Sequence, residues 1–166
     1  DGAIGQMMEK VVLPPFKPRR TEEEIRKECP WATTGRFGGR KPNIITSLEL
    51  RSEEMEIINL RIQEKYKKIE ESEVRFEEYM LDDAEYAIVA FGSAARIAKK
   101  SIEIARSQGI KVGLLRPITL WPFPTKEVQK LGEKMKGILS LEINAGQMVE
   151  DIRLAVAGRV PVQHFG

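Results

Sequence analysis

Tyr86 to Pro124 reads YAIVAFGSAARIAKKSIEIARSQGIKVGLLRPITLWPFP. It opens with an apolar run, Ala87 to Phe91, too short for a helix and closed by Gly92-Ser93; this predicts a buried strand followed at once by a helix N-cap. The helix is expected over Ala94 to Ser107. Ala94, Ala98, Ile102 and Ala105 recur at helical spacing, flanked by Ile97 and Ile104, and the small residues let the helix lie close on a sheet. Gly109 stops it, and Val112 to Leu115 is a second apolar run. Strand, crossover helix and parallel strand make a βαβ unit, expected to be right-handed.

Downstream the same pattern repeats. Thr125 is placed to cap a helix with Val128, Leu131 and Met135 inward, Ile138 to Ile143 reads as a strand, and Met148, Ile152, Ala155 and Val156 line a last helix ended by Gly158. Val160 to Phe165 is the final strand. Upstream, the half-alternating run Val74 to Tyr79 predicts an edge strand. Asp82 and Asp83 precede the first core strand. Open α/β sheets place their sites after the strands, so this acidic pair is read as a solvated turn. The expected fold is α/β, three-layered, with a mostly parallel sheet of four to five strands.

The first 73 residues read differently. Leu13 to Arg20, LPPFKPRR, lacks the backbone donors for helix or sheet and is expected to be an extended connector. Thr21 and Glu24 have the spacing of a capping box, predicting a helix of two turns that ends before Pro30. Pro30 to Pro42, PWATTGRFGGRKP, carries glycines with Arg36, Arg40 and Lys41 and could wrap a phosphate, but it lacks the spacing of a P-loop; the reading preferred is a structural loop pinned by Trp31 and Phe37. Ser52 is placed to cap the longest helix, whose seam of Met55, Ile58, Ile62, Tyr66 and Ile69 is narrow. Such a helix lies on a surface, of its own domain or of a partner. The division expected is 1–73 for connector and long helix and 74–166 for the α/β domain.

Composition limits what this domain does. The chain has 166 residues with a net charge of +2, which gives no electrostatic case for nucleic acid or an anionic membrane as principal partner. No apolar run approaches the roughly 20 residues that span a bilayer. One cysteine, Cys29, cannot supply an internal disulfide or a multi-thiolate metal site, and a reducing cytoplasm is the expected location. The chain begins at Asp1-Gly2 without methionine and is read as a fragment.

Familiar catalytic motifs are missing. The turn Phe91 to Arg96 has one glycine where the dinucleotide fingerprint needs three, and Ser93 lacks the G-x-S-x-G elbow of a hydrolase nucleophile. His164 falls within the terminal strand and is expected to be a packed or edge-strand histidine; Cys29 is expected to be inert. What the strand ends do deliver is a polar rim: Ser93, then Arg116 and Thr119, then Asn144 and Gln147. These five are the candidate ligand or interface residues, because ligands gather outside the carboxyl ends of parallel strands. Arg116 draws particular notice, since a guanidinium there could engage a carboxylate or phosphate bidentately.

Three separated stretches, DGAIGQMME (Asp1 to Glu9), GIKVGLLRPITLWPFP (Gly109 to Pro124) and NAGQMVEDIRLAVAGRVPV (Asn144 to Val162), resemble in order the thiamine-diphosphate-dependent 2-oxoacid:ferredoxin oxidoreductases. The similarity is to the subunit carrying the pyrimidine-binding domain, and PWATTG and EVRFEEYMLDDAE look most like the 2-ketoisovalerate-type members. The resemblance implies an enzyme that decarboxylates a 2-oxoacid on thiamine diphosphate with magnesium, passes electrons through iron-sulfur clusters to ferredoxin and delivers the acyl group to coenzyme A. It implies as partners a diphosphate-binding subunit and a ferredoxin-like subunit. By the same resemblance Asp1 to Glu9 is the tail of the pyrimidine-binding domain, with Gly5, Gln6 and Glu9 as candidates for lying near the cofactor, and Val74 to Gly166 is a transketolase C-terminal-like domain. The chain departs from the pattern in lacking a GDG motif and a cysteine set, so no catalytic residue and no cofactor of its own are expected in the fragment. The competing classes are a non-enzymatic α/β interaction or ligand-binding domain and a stand-alone flavodoxin-like module.

Overall fold

The structure is a computed structural model that describes residues 13–17, 20–33, 35–36, 39, 41–44 and 47–166. Gly5, Gln6 and Glu9, with Phe37 and Arg40 of the glycine-rich loop, lie outside the described residues. The chain divides into two units, and the division falls at Leu60, inside the long helix.

In the smaller unit α1, Glu22–Glu28, is set by its cap. Thr21 Oγ1 accepts the Glu24 N–H at 3.2 Å while the Glu24 carboxylate accepts the Thr21 N–H at 2.7 Å, the expected box. Trp31 is 63% exposed and therefore does not pin the loop that follows, contrary to the sequence expectation. The long helix α2, Ser52–Ser72, buries no residue. It opens at Ser52 itself, so that serine is its first helical residue rather than a cap preceding it.

The larger unit carries a five-stranded sheet. Its elements are β1 (Phe76–Tyr79), β2 (Tyr86–Ala90), α3 (Gly92–Ser107), β3 (Val112–Pro117), α4 (Thr125–Lys134), β4 (Gly137–Leu141), α5 (Met148–Val156) and β5 (Val162–Phe165). The strand order is β1-β3-β2-β4-β5. β2, β3, β4 and β5 run parallel, with Ala87 opposite Gly113 on one side and Ile138 on the other. β1 is the antiparallel edge, Tyr79 facing Leu114 and Glu77 facing Arg116.

Alternation along β2 sends side chains to two cores. Val89, with Leu115 and Ile138, packs against Val128 and Leu131 of α4 and against Met148, Ile152 and Val156 of α5. Ala90, with Val112 and Leu114, packs against Ala94, Ala95, Ala98 and Ile102 of α3. Helices thus cover both faces, α3 alone on one and the α4/α5 pair on the other. Ala94, Ala98 and Ile102 of α3 are buried as the spacing predicts and Ala105 is half-buried, but Ile97 and Ile104 face outward and are exposed.

Two helix starts differ from the sequence reading. α3 begins two residues earlier than expected, at Gly92, whose φ of 56° lies in the left-handed region, and Phe91 occupies the cap position without a side-chain hydrogen bond; Ser93 is already inside the first turn. α4 begins at Thr125 after Pro124, again with no side-chain cap. At the other end of the unit Gly113 admits a close approach: a Cβ there would lie 2.7 Å from Leu81 Cδ2 and 2.8 Å from the Met80 carbonyl carbon, so the turn after β1 folds directly onto β3.

Candidate functional site

β3 lies on one side of β2 and β4 on the other, so the connections leave the carboxyl ends of β2 and β4 in opposite directions. In an open α/β sheet that switch point forms a crevice. Its rim is built from the first turn of α3, the β3–α4 loop and the β4–α5 loop.

Glu142, just past β4, organises the last of these loops. Ser140 and Glu142 project toward the α5 side, and the Glu142 side chain is fully buried. Its carboxylate accepts the N–H groups of Gln147 at 3.1 Å, Met148 at 2.9 Å and Val149 at 3.0 Å, the opening residues of α5, and the Ser140 hydroxyl donates at 2.9 Å. Burial alone would push the carboxyl up, but the Met148 N–H, the Ser140 hydroxyl and the Gln147 and Val149 N–H groups outweigh it and hold it below the ordinary value. A full negative charge therefore sits against the positive end of α5, satisfying donors that a helix start otherwise leaves free. Sequence reading passed over Glu142 as part of a strand. The available signal was a single acid at the end of an apolar strand, six residues before the first residue of a helix with no Ser, Thr, Asp or Asn at its cap.

The remaining rim residues divide by what they touch. Asn144 Oδ1 accepts the Gly146 N–H at 2.7 Å, a local turn that aims Gly146 (φ 105°) back along the loop. Gln147 is the N-cap residue of α5, but its backbone and not its side chain does the bonding. The Thr119 hydroxyl donates to Pro122 O at 2.9 Å and accepts the Arg75 N–H at 3.0 Å, while the N–H groups of Ile118 and Thr119 donate to Arg75 O at 2.9 and 3.1 Å. Thr119 thus clasps the β3–α4 loop to the segment entering β1. Within that loop, the Trp121 ring meets Tyr66 of α2 edge to face at 5.4 Å.

Arg116 lies within β3 rather than in the loop after it, and its Nη1 donates to Glu77 at 3.1 Å across the β1–β3 pair. Lys99 of α3 donates to the other oxygen of the same carboxylate. Lys99 first, then Arg116, hold the Glu77 carboxyl below its usual range against the opposing effect of burial. The guanidinium is committed to this cross-strand pair through one nitrogen, and its Nε is buried without a partner.

His164 sits on edge strand β5, its ring close to Gly146 and its Nε2 3.8 Å from Glu142 Oε1. No serine or cysteine lies with it as nucleophile in any described bond. At the opposite rim Asp83 is more than a solvated turn: Arg106 donates to it at 2.7 and 3.2 Å and also bonds Met80 O at 2.7 Å and Val112 O at 2.8 Å, tying the β1–β2 turn to α3 and β3. Cys29 Sγ accepts from Arg20 at 3.7 Å.

Among the described residues no three His, Cys, Asp or Glu side chains converge as a metal site requires, and no helix is long and apolar enough to cross a membrane. The rim therefore has the parts of a binding or docking surface: loops fixed by buried polar clasps, with Ile118, Leu120, Trp121 and Ile143 exposed on them.

Comparison with known proteins agrees on the kind of molecule. Residues 84–165 match the family described as pyruvate:ferredoxin oxidoreductase core domain II. Over 155 residues, 93% of this chain, the sequence is 44% identical to the ketoisovalerate oxidoreductase subunit VorB of Methanothermobacter thermautotrophicus and 46% identical to that of Methanothermobacter marburgensis. The chain spans 42% of the length of each of these relatives. Among solved structures, a 2-oxoglutarate:ferredoxin oxidoreductase from Magnetococcus marinus superposes with a TM-score of 0.65 at 20% identity, covering 81% of this chain and 25% of that one, a likeness of fold.

Proposed function

We propose that this chain, whose residues 84–165 match the pyruvate:ferredoxin oxidoreductase core domain II family, is part of a subunit of a 2-oxoacid:ferredoxin oxidoreductase acting on a branched-chain 2-oxoacid, 2-ketoisovalerate foremost. The observation that carries this reading is the 44 to 46% identity with two ketoisovalerate oxidoreductase subunits along almost the whole chain. The enzyme would decarboxylate the 2-oxoacid oxidatively, reduce ferredoxin and release an acyl-coenzyme A in the cytoplasm.

Within such an enzyme this stretch is an assembly domain. A thiamine-bound metal needs converging oxygen ligands and an iron-sulfur cluster needs several thiolates, and the described residues bring together neither set. Those groups belong in other parts of the enzyme, and no step of the reaction is assigned to these side chains. The part of this domain is to present its carboxyl rim, where Thr119 and Asn144 with Gln147 shape the loops bearing Ile118, Trp121 and Ile143, to a diphosphate-binding subunit or to its ferredoxin-like companion. Exposed apolar side chains on loops fixed this firmly suit a surface that another subunit covers.

The test is co-expression of the whole subunit containing this sequence with the adjacent candidate subunits, followed by assay of coenzyme A-dependent viologen reduction. Turnover fastest with 2-ketoisovalerate supports the reading. Preference for pyruvate or 2-oxoglutarate would replace the substrate, and a complex inactive with every 2-oxoacid would overturn the assignment.

A further inference from the structure

Two helices start at the switch point, and among the described residues only one start is filled. At α5 the donors are three backbone N–H groups and the Ser140 hydroxyl, and Glu142 supplies the oxyanion that accepts them all. At α3 the same kind of donor set has no acceptor among the described residues. The helix runs 16 residues from Gly92, has no side-chain cap and carries no acid in its first turn. Its first intrahelical bond at this end is from Ala95 N–H to Phe91 O, so the N–H groups of Gly92, Ser93 and Ala94 precede the ladder. Ser93 adds a hydroxyl. Its side chain is 7% exposed and its Oγ has no hydrogen-bond partner. Cα–Cβ bonds in a helix tilt toward its N-terminus, so the Ser93 side chain leaves the backbone toward the start of α3.

A buried hydroxyl is nearly always paired, and an uncapped helix start favours negative charge. We propose that the first turn of α3, Gly92-Ser93-Ala94, is a binding site for an oxyanion of the phosphate class, held by backbone N–H groups and the Ser93 hydroxyl. Glu142 does not fill the role, because it projects to the α5 side and its charge is spent on the start of α5. The left-handed Gly92 lets the chain turn from β2 into α3 with no Cβ between the donors and an incoming oxygen. The site does not rest on the enzyme reading: phosphate binding without 2-oxoacid turnover, or the reverse, separates the two.

The experiment is titration of the 15N-labelled 166-residue chain with inorganic phosphate at constant ionic strength. The expected result is saturable movement of the Gly92, Ser93 and Ala94 amide signals at millimolar phosphate, absent with chloride, weakened at least fivefold in Ser93→Ala and retained in Ser93→Thr. Signals that move linearly, move equally with chloride, or move elsewhere overturn the site, as does unchanged affinity in Ser93→Ala. Should Ser93→Ala fail to fold, the wild-type titration alone decides between these outcomes.

Discussion

Glu142 Oε2 lies 2.9 Å from the backbone nitrogen of Met148, so a carboxylate on the strand side of the loop serves as the cap of the helix on its far side. The five-residue loop between them is closed by this bond and its two neighbours, to Gln147 and Val149. Stability and the shape of the rim are therefore linked through one side chain.

Glu142→Gln replaces an acceptor that serves four donors by an amide that brings two donors of its own. Hydrogen bonds to a charged group contribute about 1.5–3 kcal/mol, so the variant is expected to lose about 2–3 kcal/mol at pH 7 in urea denaturation. An unchanged midpoint would mean that the carboxylate does not hold the loop.

The same residue sets a pH signature. Its folded-state carboxyl is depressed, so its contribution is present above the unfolded value of 4.5 and is lost as pH falls through the lower folded value. Asp83, Glu85 and Glu103 are also depressed, by Arg106, Lys136 and Lys100 respectively, but they titrate alike in wild type and variant. The stability gap between wild type and Glu142→Gln should accordingly narrow as pH drops below about 4. A gap constant from pH 7 to pH 3 contradicts the assignment.

Gly113→Ala places a methyl group against the backbone of Met80, which has no rotamer by which to give way, and against the buried side chain of Leu81. Overpacking of this kind costs about 1–3 kcal/mol and more where backbone is the obstacle, so a loss of about 3 kcal/mol is expected by thermal or urea unfolding. Gly109→Ala is the contrasting control, since its Cβ would meet nothing and only its φ of 84° opposes the change.

Arg116→Ala removes a cross-strand ion pair whose partners, Arg116 and Glu77, are each more than a third exposed. Such pairs contribute about 0.2–1 kcal/mol, and Lys99 still holds Glu77, so the melting temperature of the chain should fall by only a few degrees. In the assembled enzyme, weakened subunit association or coenzyme A-dependent turnover would show that the guanidinium also serves an interface. Unaltered assembly and turnover would confine it to the β1–β3 pair.

Trypsin should cut first at Arg20, Lys27 or Arg36, where the described residues are exposed and α1 buries nothing, while Lys17 and Lys41 are protected by the prolines that follow them. Mass spectrometry of the earliest stable product should find the stretch from Val74 to Gly166 intact. Early loss of β5 instead would place the boundary of the folded unit wrongly.

The order of strands and helices from Tyr86 to Phe165 was legible in the sequence, because apolar runs of four to six residues and helical spacing of alanines and isoleucines are local patterns that burial on two faces demands. The likeness to the 2-oxoacid:ferredoxin oxidoreductases was legible for the same reason, since it rests on contiguous stretches such as GIKVGLLRPITLWPFP. Tertiary structure decided the rest. Glu77 and Arg116 are 39 residues apart and meet only because β1 turns back antiparallel on β3, a pairing that no local periodicity encodes. Glu142 looked like a strand residue, and it became the cap of α5 once the loop returned the helix start to the strand end. Whether an acid is solvated or buried, and whether a hydroxyl is paired or left open like that of Ser93, depends on which distant backbone donors the fold delivers to it, and those distances exist only after the sheet has formed.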